Sequence, residues 1–317
     1  MAVFGTGRAG RIHIPNVIAS PNTTLVAIVD IPSAPALPDE IQSTIPADTV
    51  RVDASNQQAV NELLERADLD AVLIASPTGL HTEQVTMALN KNKHVFVEKP
   101  LAETLNEINA CFDAAESSGC ILQIGYNRRY DPAINAVKTK VDSGEIGTPT
   151  TALTVARDYP YPQAAFLKTC GGLFHDCATH DIDYMGWLLS DKPTKVMVNV
   201  PPNTDTTNLN VDHAVLSLQY TKGALATLHL SRVSSNYDQR CEVFGTQGEA
   251  RMADFIEGAK TSFPQRYADA FKAELEAFVV CVKENKPALV TRQDCIIANC
   301  VAEACAVSLA SGAYEPV

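Results

Sequence analysis

Residues 5–13 read Gly-Thr-Gly-Arg-Ala-Gly-Arg-Ile-His and follow a short apolar run at residues 2–4. Gly5, Gly7 and Gly10 have the G-x-G-x-x-G spacing of a turn that joins a strand to a helix and binds a dinucleotide. In such a turn the backbone approaches the pyrophosphate closely, and N–H groups at the start of the helix bind its oxygens. A glycine turn that binds nothing is the alternative interpretation. The cofactor-binding residues that this motif predicts are Gly5, Thr6, Gly7, Arg8, Ala9 and Gly10.

The first 124 residues alternate short apolar runs with amphipathic segments, a pattern that predicts βαβ units and a parallel sheet. Ser55 is expected to cap a helix, and Thr104 with Glu107 forms a predicted capping box. Only four residues precede Gly5, so we expect either a short first strand or an incomplete start of the chain. The candidate strands are residues 2–4, 25–29, 50–52, 71–74, 94–97 and 121–124.

The pattern changes after this region, because long β-branched runs follow one another directly. We therefore expect an α/β protein of two domains. Residues 1–122 are predicted to form an N-terminal Rossmann domain that binds a dinucleotide, and residues 123–317 a C-terminal α+β domain with a large, mostly antiparallel sheet. The runs that predict antiparallel strands are 211–220, 224–233 and 240–245, and those that predict helices are 132–141, 265–284 and 292–309.

The composition argues against several classes of protein. With 317 residues, 46% of them hydrophobic and 20% charged, the chain has the size and composition of a soluble two-domain protein. A net charge of −12 disfavours nucleic acid and anionic membranes as partners. We expect no membrane span, because no apolar stretch approaches the roughly 20 residues that are needed to cross a bilayer. Nine scattered cysteines without a C-x-x-C pair, and the lack of a signal-like segment, predict reduced thiols in a cytoplasmic protein.

Asp30 strengthens the prediction of a dinucleotide site. It ends the second candidate strand, 20 residues after Gly10. A carboxylate at this position hydrogen-bonds the hydroxyls of the adenosine ribose and repels a 2′-phosphate. The following residues, Ile31 and Pro32, cannot bind that phosphate, so NAD is favoured over NADP as the cofactor. The alternative is that Asp30 is only a turn residue at the end of a strand.

Lys99 is the first candidate for catalysis. Residues 95–100 read Val-Phe-Val-Glu-Lys-Pro and end the fifth candidate strand. Ligands of open α/β sheets bind beyond the carboxyl ends of the strands, so Lys99 is expected to face the cofactor. An ordinary Lys-Pro turn on the surface is the alternative.

A second concentration of reactive side chains lies at residues 171–183, Gly-Gly-Leu-Phe-His-Asp-Cys-Ala-Thr-His-Asp-Ile-Asp. On an α-helix Asp176, His180 and Asp183 fall on one stripe. A histidine beside carboxylates is suited to act as a general base near neutral pH. One alternative is a capped helix with solvated carboxylates. Another is a metal site built on His175, Asp176 and His180, although His175 lies about 140° around an α-helix from His180.

These motifs occur together and in one order. Gly5-x-Gly7-Arg8-x-Gly10, Glu98-Lys99-Pro100, Gly171-Gly172 and Asp176-x-x-x-His180 resemble the Gfo/Idh/MocA family of nicotinamide oxidoreductases, and the resemblance covers essentially the whole chain. Within that family, residues 125–131 (Gly-Tyr-Asn-Arg-Arg-Tyr-Asp) and Tyr237-Asp238 are most similar to the inositol 2-dehydrogenases.

The resemblance implies a role for each matching residue. Lys99 hydrogen-bonds the reacting hydroxyl, His180 is the general acid/base, and Asp176 binds substrate or orients the histidine. It also implies that the open face of the C-terminal sheet forms a homodimer or homotetramer. The further cofactor residues implied are Ser76, Thr78, His81, Glu98 and Lys99, and the substrate residues are Asn127, Arg128, Asp158, Tyr159, Asp176, His180 and Tyr237.

The function implied is NAD-dependent oxidation of a ring hydroxyl of a cyclic polyol, such as myo-inositol, to a ketone, without a metal. Asn127 stands where an apolar residue is more usual in the family, so another sugar, a nucleotide sugar or a dihydrodiol is an alternative substrate. A non-catalytic NAD-binding regulator is the alternative from outside the enzymes. Such a regulator is expected to lack the catalytic side chains, whereas Lys99 and His180 are both present.

Overall fold

A computed structural model of the protein describes residues 1–168, 170–206, 209–252 and 262–317. The chain divides into two compact units. The first contains Met1–Tyr126 and Phe271–Cys295, and the second contains Asn127–Ala270 and Ile296–Val317.

The first unit is built on a six-stranded parallel sheet with the order β3-β2-β1-β4-β5-β6. All six predicted strands are present, and the parallel Rossmann-type sheet is confirmed. The order reverses between β1 and β4, and in such sheets ligands bind where the order reverses. The strands are β1 (Ala2–Phe4), β2 (Ala27–Asp30), β3 (Val50–Asp53), β4 (Ala71–Ile74), β5 (His94–Glu98) and β6 (Leu122–Gly125).

Helices follow the strands of this sheet. They are α1 (Gly10–Ala19), α2 (Asp39–Gln42), α3 (Gln57–Leu64), α4 (His81–Asn90) and α5 (Leu105–Ser118). The predicted capping box of Thr104 and Glu107 is present at α5. The cap predicted at Ser55 is wrong, because Asn56 caps α3 while Ser55 hydrogen-bonds the carboxylate of Asp53.

The division of the chain differs from the expected boundary at residue 122. Leu122–Gly125 pairs with β5 as the sixth strand, so the first unit extends to Tyr126. A late helix, Ala268–Glu284, also contributes to the first unit, because Leu275 and Phe278 pack in the same core as Val3 and Phe96. Residues 271–295 therefore belong to the first unit.

The second unit is built on a seven-stranded sheet with the order β12-β11-β7-β10-β9-β8-β13. Its pairs are antiparallel except β7 with β10, which confirms the predicted mostly antiparallel sheet. Burial alternates along β9, so one face of the strand packs in the core and the other does not. The strands are β7 (Pro149–Arg157), β8 (Pro193–Asn199), β9 (His213–Tyr220), β10 (Leu225–Ser231), β11 (Asp238–Gly245), β12 (Glu249–Arg251) and β13 (Glu315–Pro316).

The remaining helices are α6 (Pro132–Asp142), α7 (Ala164–Leu167), α8 (Thr179–Leu189), α9 (Phe263–Arg266), α10 (Ala268–Glu284) and α11 (Arg292–Ser311). By length and composition α11 could cross a membrane, since its 20 residues include a window with a mean hydropathy of 1.4. Of that window, 39% is buried inside the protein. The expectation that no stretch approaches that length is wrong for this helix. Core helices pass the same test, and here Val301, Ala302 and Ser308 are fully buried, with Ser308 Oγ accepting the N–H of Val198 at 2.9 Å.

Candidate active site

The glycine loop joins β1 to α1 in the first unit. Gly5 has φ +92°, which side-chain-bearing residues rarely adopt, and a Cβ there would lie 2.6 Å from the carbonyl oxygen of Ala75. A Cβ on Gly10 would collide with the carbonyl oxygen of Gly5, whereas a Cβ on Gly7 would meet nothing within 4 Å. Packing therefore requires Gly5 and Gly10, and the backbone at Gly7 faces open space.

The start of α1 suits an anionic ligand. No side chain caps the helix at Ala9, and its first turn contains no acidic residue. The amino end of a helix carries partial positive charge and N–H groups without intrahelical acceptors. Together with the open backbone at Gly7, this arrangement fits the pyrophosphate of a dinucleotide.

Asp30 ends β2, and the glycine loop fixes its carboxylate. Oδ2 accepts hydrogen bonds from the N–H and Oγ1 of Thr6 at 2.7 and 2.6 Å, and Oδ1 accepts one from the N–H of Ile31 at 2.7 Å. A cavity of about 320 Å³ is lined by Thr6 and Asp30, and also by Arg51 and Asp53. The carboxylate therefore borders the space in which the adenosine ribose of a dinucleotide would bind.

The loop after β4 carries Ser76 and Thr78, and His81 follows it as the first residue of α4. His81 is 1% exposed, with Nδ1 2.9 Å from the carbonyl oxygen of Pro100 and Nε2 2.9 Å from that of Ser76. Burial lowers the pKa of His81 below its ordinary value. The imidazole therefore connects the loop after β4 with the loop after β5, while Ser76 and Thr78 are the partly exposed predicted residues of this loop.

Glu98 and Lys99 lie at the end of β5, before a cis peptide bond between Lys99 and Pro100. Glu98 Oε1 lies 2.6 Å from Nε2 of His13, a residue of α1 that the sequence analysis did not single out. Burial opposes the ionisation of Glu98, but the hydrogen bond and charge of His13 and the charge of Lys99 lower its pKa. Lys99 is thus presented at the carboxyl edge of the parallel sheet, where ligands of such sheets bind.

In the second unit, Asp176 and His180 lie on a helical segment with two geometries. Phe174–Ala178 is a π-helical turn, and α8 continues it from Thr179. The prediction that one α-helix aligns Asp176, His180 and Asp183 is therefore wrong, because i→i+5 hydrogen bonding widens the first turn. His180 is 8% exposed. π-helical turns of this kind are frequent at functional sites.

Arg232 holds the carboxylate of Asp176, and the sequence analysis did not single it out. Its side chain is fully buried beyond the end of β10, and Nη2 lies 3.1 Å from Asp176 Oδ2. Nη1 also donates to Asn210 Oδ1 at 3.0 Å. Charge-assisted hydrogen bonds from a guanidinium fix the orientation of a carboxylate. In the sequence, Arg232 is visible only as a basic residue near the end of the predicted strand 224–233, and this position does not indicate that it pairs with Asp176.

Asp183 has a different role from Asp176. Arg129 donates from Nε to Asp183 Oδ2 at 2.9 Å and from Nη2 to Oδ1 at 2.7 Å, and both side chains are almost completely buried. This bidentate pair ties the turn Asn127–Tyr130 to α8. Asp183 therefore supports the second unit, whereas Asp176 remains the carboxylate of the candidate site.

Arg128 is part of a buried ion pair. Its Nη1 lies 2.7 Å from Oδ2 of Asp181, which is 0% exposed. Its guanidinium lies 5.7 Å from the ring centroid of Tyr184 and 5.8 Å from that of Tyr267. Asp181 also accepts a hydrogen bond from Thr154 Oγ1 at 2.8 Å. Only 6% of the Arg128 side chain is exposed, so little of it is left for a substrate to contact.

The other predicted substrate residues differ in exposure. Asn127 is fully buried, and neither its Nδ2 nor its Oδ1 has a hydrogen-bond partner among the residues that the structure describes. Tyr237 is 7% exposed, and its pKa is raised by burial and then by Tyr267. Asp158, whose charge also acts on Tyr237, and Tyr159 are partly exposed. Asn127 therefore has donor and acceptor capacity that a ligand or water would satisfy.

Within the described part of the chain, no three His, Cys, Asp or Glu side chains are grouped so as to hold a metal ion. His175 Nε2 lies 3.3 Å from Glu303 Oε1, and Asp176 pairs with Arg232. The alternative metal site of His175, Asp176 and His180 is therefore not assembled.

The strand order of the first sheet, its glycine loop and the aspartate fixed beside that loop define a dinucleotide-binding protein of the Rossmann class. The model of the oxidoreductase family with an NAD-binding Rossmann fold matches residues 1–126, and the model of the GFO/IDH/MocA C-terminal domain matches residues 134–251. The chain belongs to the Gfo/Idh/MocA family of oxidoreductases.

Named relatives are similar over nearly their whole length. The uncharacterized oxidoreductase YrbE of Bacillus subtilis is 33% identical, covering 98% of this chain and 94% of the relative. The scyllo-inositol 2-dehydrogenase (NAD(+)) of the same organism is also 33% identical, covering 93% and 90%. A crystal structure of scyllo-inositol dehydrogenase from Lactobacillus casei, with bound NAD(H) and scyllo-inositol, has a TM-score of 0.87 at 27% identity and covers 99% of this chain and 97% of that one.

Proposed function

We propose that the protein is an NAD-dependent dehydrogenase that oxidises a ring hydroxyl of inositol or a similar cyclic polyol to a ketone. The observation that carries the proposal is a carboxylate, Asp176, fixed by the buried guanidinium of Arg232 and located one helical turn before His180. A fixed carboxylate and an imidazole on one continuous helical segment suit a polyol, because one group accepts hydrogen bonds from hydroxyls and the other takes a proton. The similarity to inositol dehydrogenases supports the same substrate class.

The carboxylates of the first unit support a preference for NAD over NADP. Three donors from Thr6 and Ile31 hold Asp30 in place, so it cannot turn away from a 2′-phosphate. Asp53 lines the same cavity. Arg51 is the one basic side chain among the described residues that line this cavity, and it donates a hydrogen bond to Gln42. A 2′-phosphate would therefore meet negative charge in this cavity, whereas ribose hydroxyls would find an acceptor.

The proposed reaction transfers a hydride from the carbinol carbon, and bound NAD would supply the acceptor for it. The imidazole of His180 takes the proton of the reacting hydroxyl, because the oxygen must lose its proton as the carbonyl forms. The ammonium of Lys99 stabilises the negative charge that develops on this oxygen. Asp176, held by Arg232, binds a substrate hydroxyl and orients the ring.

The unsatisfied amide of Asn127 supports a role in choosing among substrates. A buried donor and acceptor that have no partners among the described residues would select for a hydroxyl pattern that satisfies both. An Asn127→Ala variant is therefore expected to change the ratio of kcat/KM values between substrates. This residue is also the reason to test sugars and dihydrodiols beside inositols.

The experiment that tests the function measures NADH formation by absorbance. Purified protein is given NAD or NADP with myo-inositol, scyllo-inositol, glucose, xylose or a dihydrodiol, and His180→Ala is assayed in parallel. NAD-linked turnover of an inositol that falls roughly 10²- to 10⁴-fold in the variant would support the proposal. Turnover of another substrate alone would reassign the specificity. Binding of NAD without turnover of any substrate would favour the regulator.

We also infer a homodimer or homotetramer in the cytoplasm, with a small polyol as the partner and neither nucleic acid nor membrane. All nine cysteines are free, which suits a reducing compartment. Leu225 of β10 is 51% exposed, and His229 is exposed on the same face of that strand. A sheet face of this kind suits an interface between copies. Light scattering should detect an oligomer that Leu225→Asp dissociates, and a monomeric wild-type protein would contradict the inference.

A further inference from the structure

A buried pair of ionisable side chains joins α1 to the end of β5. Glu98 Oε1 lies 2.6 Å from His13 Nε2, and the two side chains are 13% and 0% exposed. A carboxylate offers only acceptors, so the contact requires a proton on Nε2. The imidazole ring meets the rings of Phe96 and Phe271 edge-on, with centroids 5.2 and 5.4 Å away. Apolar neighbours therefore surround a strongly polar contact.

Stability alone is a poor explanation for this contact. Removing a carboxylate and its polar partner from water costs most of the free energy that their contact returns, and apolar residues of similar volume often stabilise a protein equally well or better. At the position of His13, between two phenylalanine rings, an apolar side chain would fit the surroundings. We therefore look for the role of His13 and Glu98 in the positions that their contact fixes rather than in the stability of the fold.

The pair connects two segments of the candidate site within the first unit. His13 lies in the first turns of α1, directly after the glycine loop, and Glu98 directly precedes Lys99. Glu98 Oε2 accepts the backbone N–H of Lys99 at 3.3 Å. A Cβ on Gly125 of β6 would lie only 3.2 Å from both Cα and Oε2 of Glu98, so this strand confines the glutamate from the other side.

We propose that Glu98 and His13 are positioning residues for Lys99, an inference that rests on the proposed function. The pair fixes the backbone at the end of β5 relative to the first turns of α1. The distance between the ammonium of Lys99 and the amino end of α1, where the phosphates would bind, is then constant. A displacement of about 1 Å in a reacting geometry costs about 10²-fold in rate, so the pair acts on turnover although neither side chain touches the substrate.

The test is the double variant His13→Leu with Glu98→Leu, which replaces the pair by apolar side chains. We expect a melting temperature at or above that of the wild type, a kcat about 10²-fold lower, and little change in KM for NAD. His13→Gln keeps an N–H donor and is expected to retain most of kcat. A double variant with wild-type kcat, or one whose kcat falls only together with its melting temperature, would overturn the proposal.

A matched control removes a polar contact at the other end of the same helix. Ser20, just after α1, donates to Glu276 Oε1 at 2.5 Å. Ser20→Ala with Glu276→Leu is expected to leave kcat unchanged, because this contact lies away from the glycine loop and Lys99. A loss of kcat equal to that of the first double variant would show that any loosening of α1 suffices, which would overturn the assignment to Glu98 and His13.

A second readout separates this proposal from the proposed function. Acetic anhydride at fixed pH modifies free amines, and mass spectrometry compares Lys99 with Lys91, which pairs with Glu65 elsewhere in the first unit. Acetylation of Lys99 relative to Lys91 should change several-fold in the first double variant, because the backbone that carries the Lys99 side chain is no longer fixed by Glu98. Equal ratios would overturn the positioning role even if the wild type oxidises no polyol.

Discussion

Replacing Asp30 by asparagine is expected to remove most of the preference for NAD over NADP. Thr6 and Ile31 occupy three of the roughly four acceptor positions of the carboxylate, which leaves one for a ribose hydroxyl. A hydrogen bond to a charged acceptor contributes about 1.5–3 kcal/mol, so its weakening raises the Kd for NAD by roughly 10- to 150-fold. The substitution is nearly isosteric, and with its amide oxygen facing Thr6 it keeps the two hydrogen bonds from that residue and loses the one from Ile31.

The effect on NADP has the opposite sign. A negative charge about 4 Å from the carboxylate is repelled by about 4 kcal/mol at an effective dielectric constant of about 20, close to 10³-fold in affinity. The neutral amide removes this repulsion. The ratio of kcat/KM for NAD to that for NADP should therefore fall by at least about 10³-fold in Asp30→Asn.

The assay compares both kcat/KM values in the wild type and the variant, at low and at raised salt. Asp53→Asn is the matched control, since Asp53 lines the same cavity at the end of β3, one strand further from the glycine loop than Asp30, and it hydrogen-bonds Ser55 rather than that loop. Its effect should be much smaller. A ratio that changes by less than about threefold in Asp30→Asn, or equally in both variants, would refute the reasoning.

Three further predictions concern the buried groups. Arg232→Met should lower kcat about 10²-fold, whereas Arg232→Lys, which keeps a charge beside Asp176, should lose less; equal losses in steady-state assays would argue against an orienting role. Asp181→Asn leaves the buried guanidinium of Arg128 without its carboxylate, at a cost of about 3–5 kcal/mol. Calorimetry should then show a melting temperature roughly 10 °C below that of the wild type, and an unchanged melting temperature would contradict this prediction. Burial lowers the pKa of His81, so the unfolded chain binds a proton at this residue at a higher pH than the folded chain does. The free energy of unfolding should therefore decrease as the pH falls below about 6.5. His81→Asn should therefore reduce the fall in melting temperature between about pH 7.5 and about pH 5.5, and an undiminished fall would exclude His81 as its source.

The sequence predicted those parts of the fold that depend on local patterns. The strands of the first sheet are short apolar runs, and β4 is buried along its whole length, as expected for an inner parallel strand. The glycine loop and the capping box of α5 have signatures within a few residues. Such features are visible because all the interacting residues lie in one stretch of sequence.

The contacts that orient the site residues could not be read in the same way. Arg232 is 56 positions from Asp176, and Glu98 is 85 positions from His13. No spacing rule relates such residues, since only the packing of strands and helices brings them together. The π-helical turn before α8 was not predicted either. Its i→i+5 hydrogen bonding has no recognisable signature in the order of apolar and polar residues.

The placement of Leu275 and Phe278 in the core of the first unit has a consequence for how the chain folds during synthesis. The ribosome adds roughly 5–20 residues per second, and amino-terminal domains ordinarily fold as soon as they emerge. Here the sheet of the first unit is finished at Gly125, but two of its core side chains are made about 150 residues later. Until then the nascent nucleotide-binding half exposes an apolar surface that a chaperone would recognise, and a fragment ending at Tyr126 is expected to aggregate.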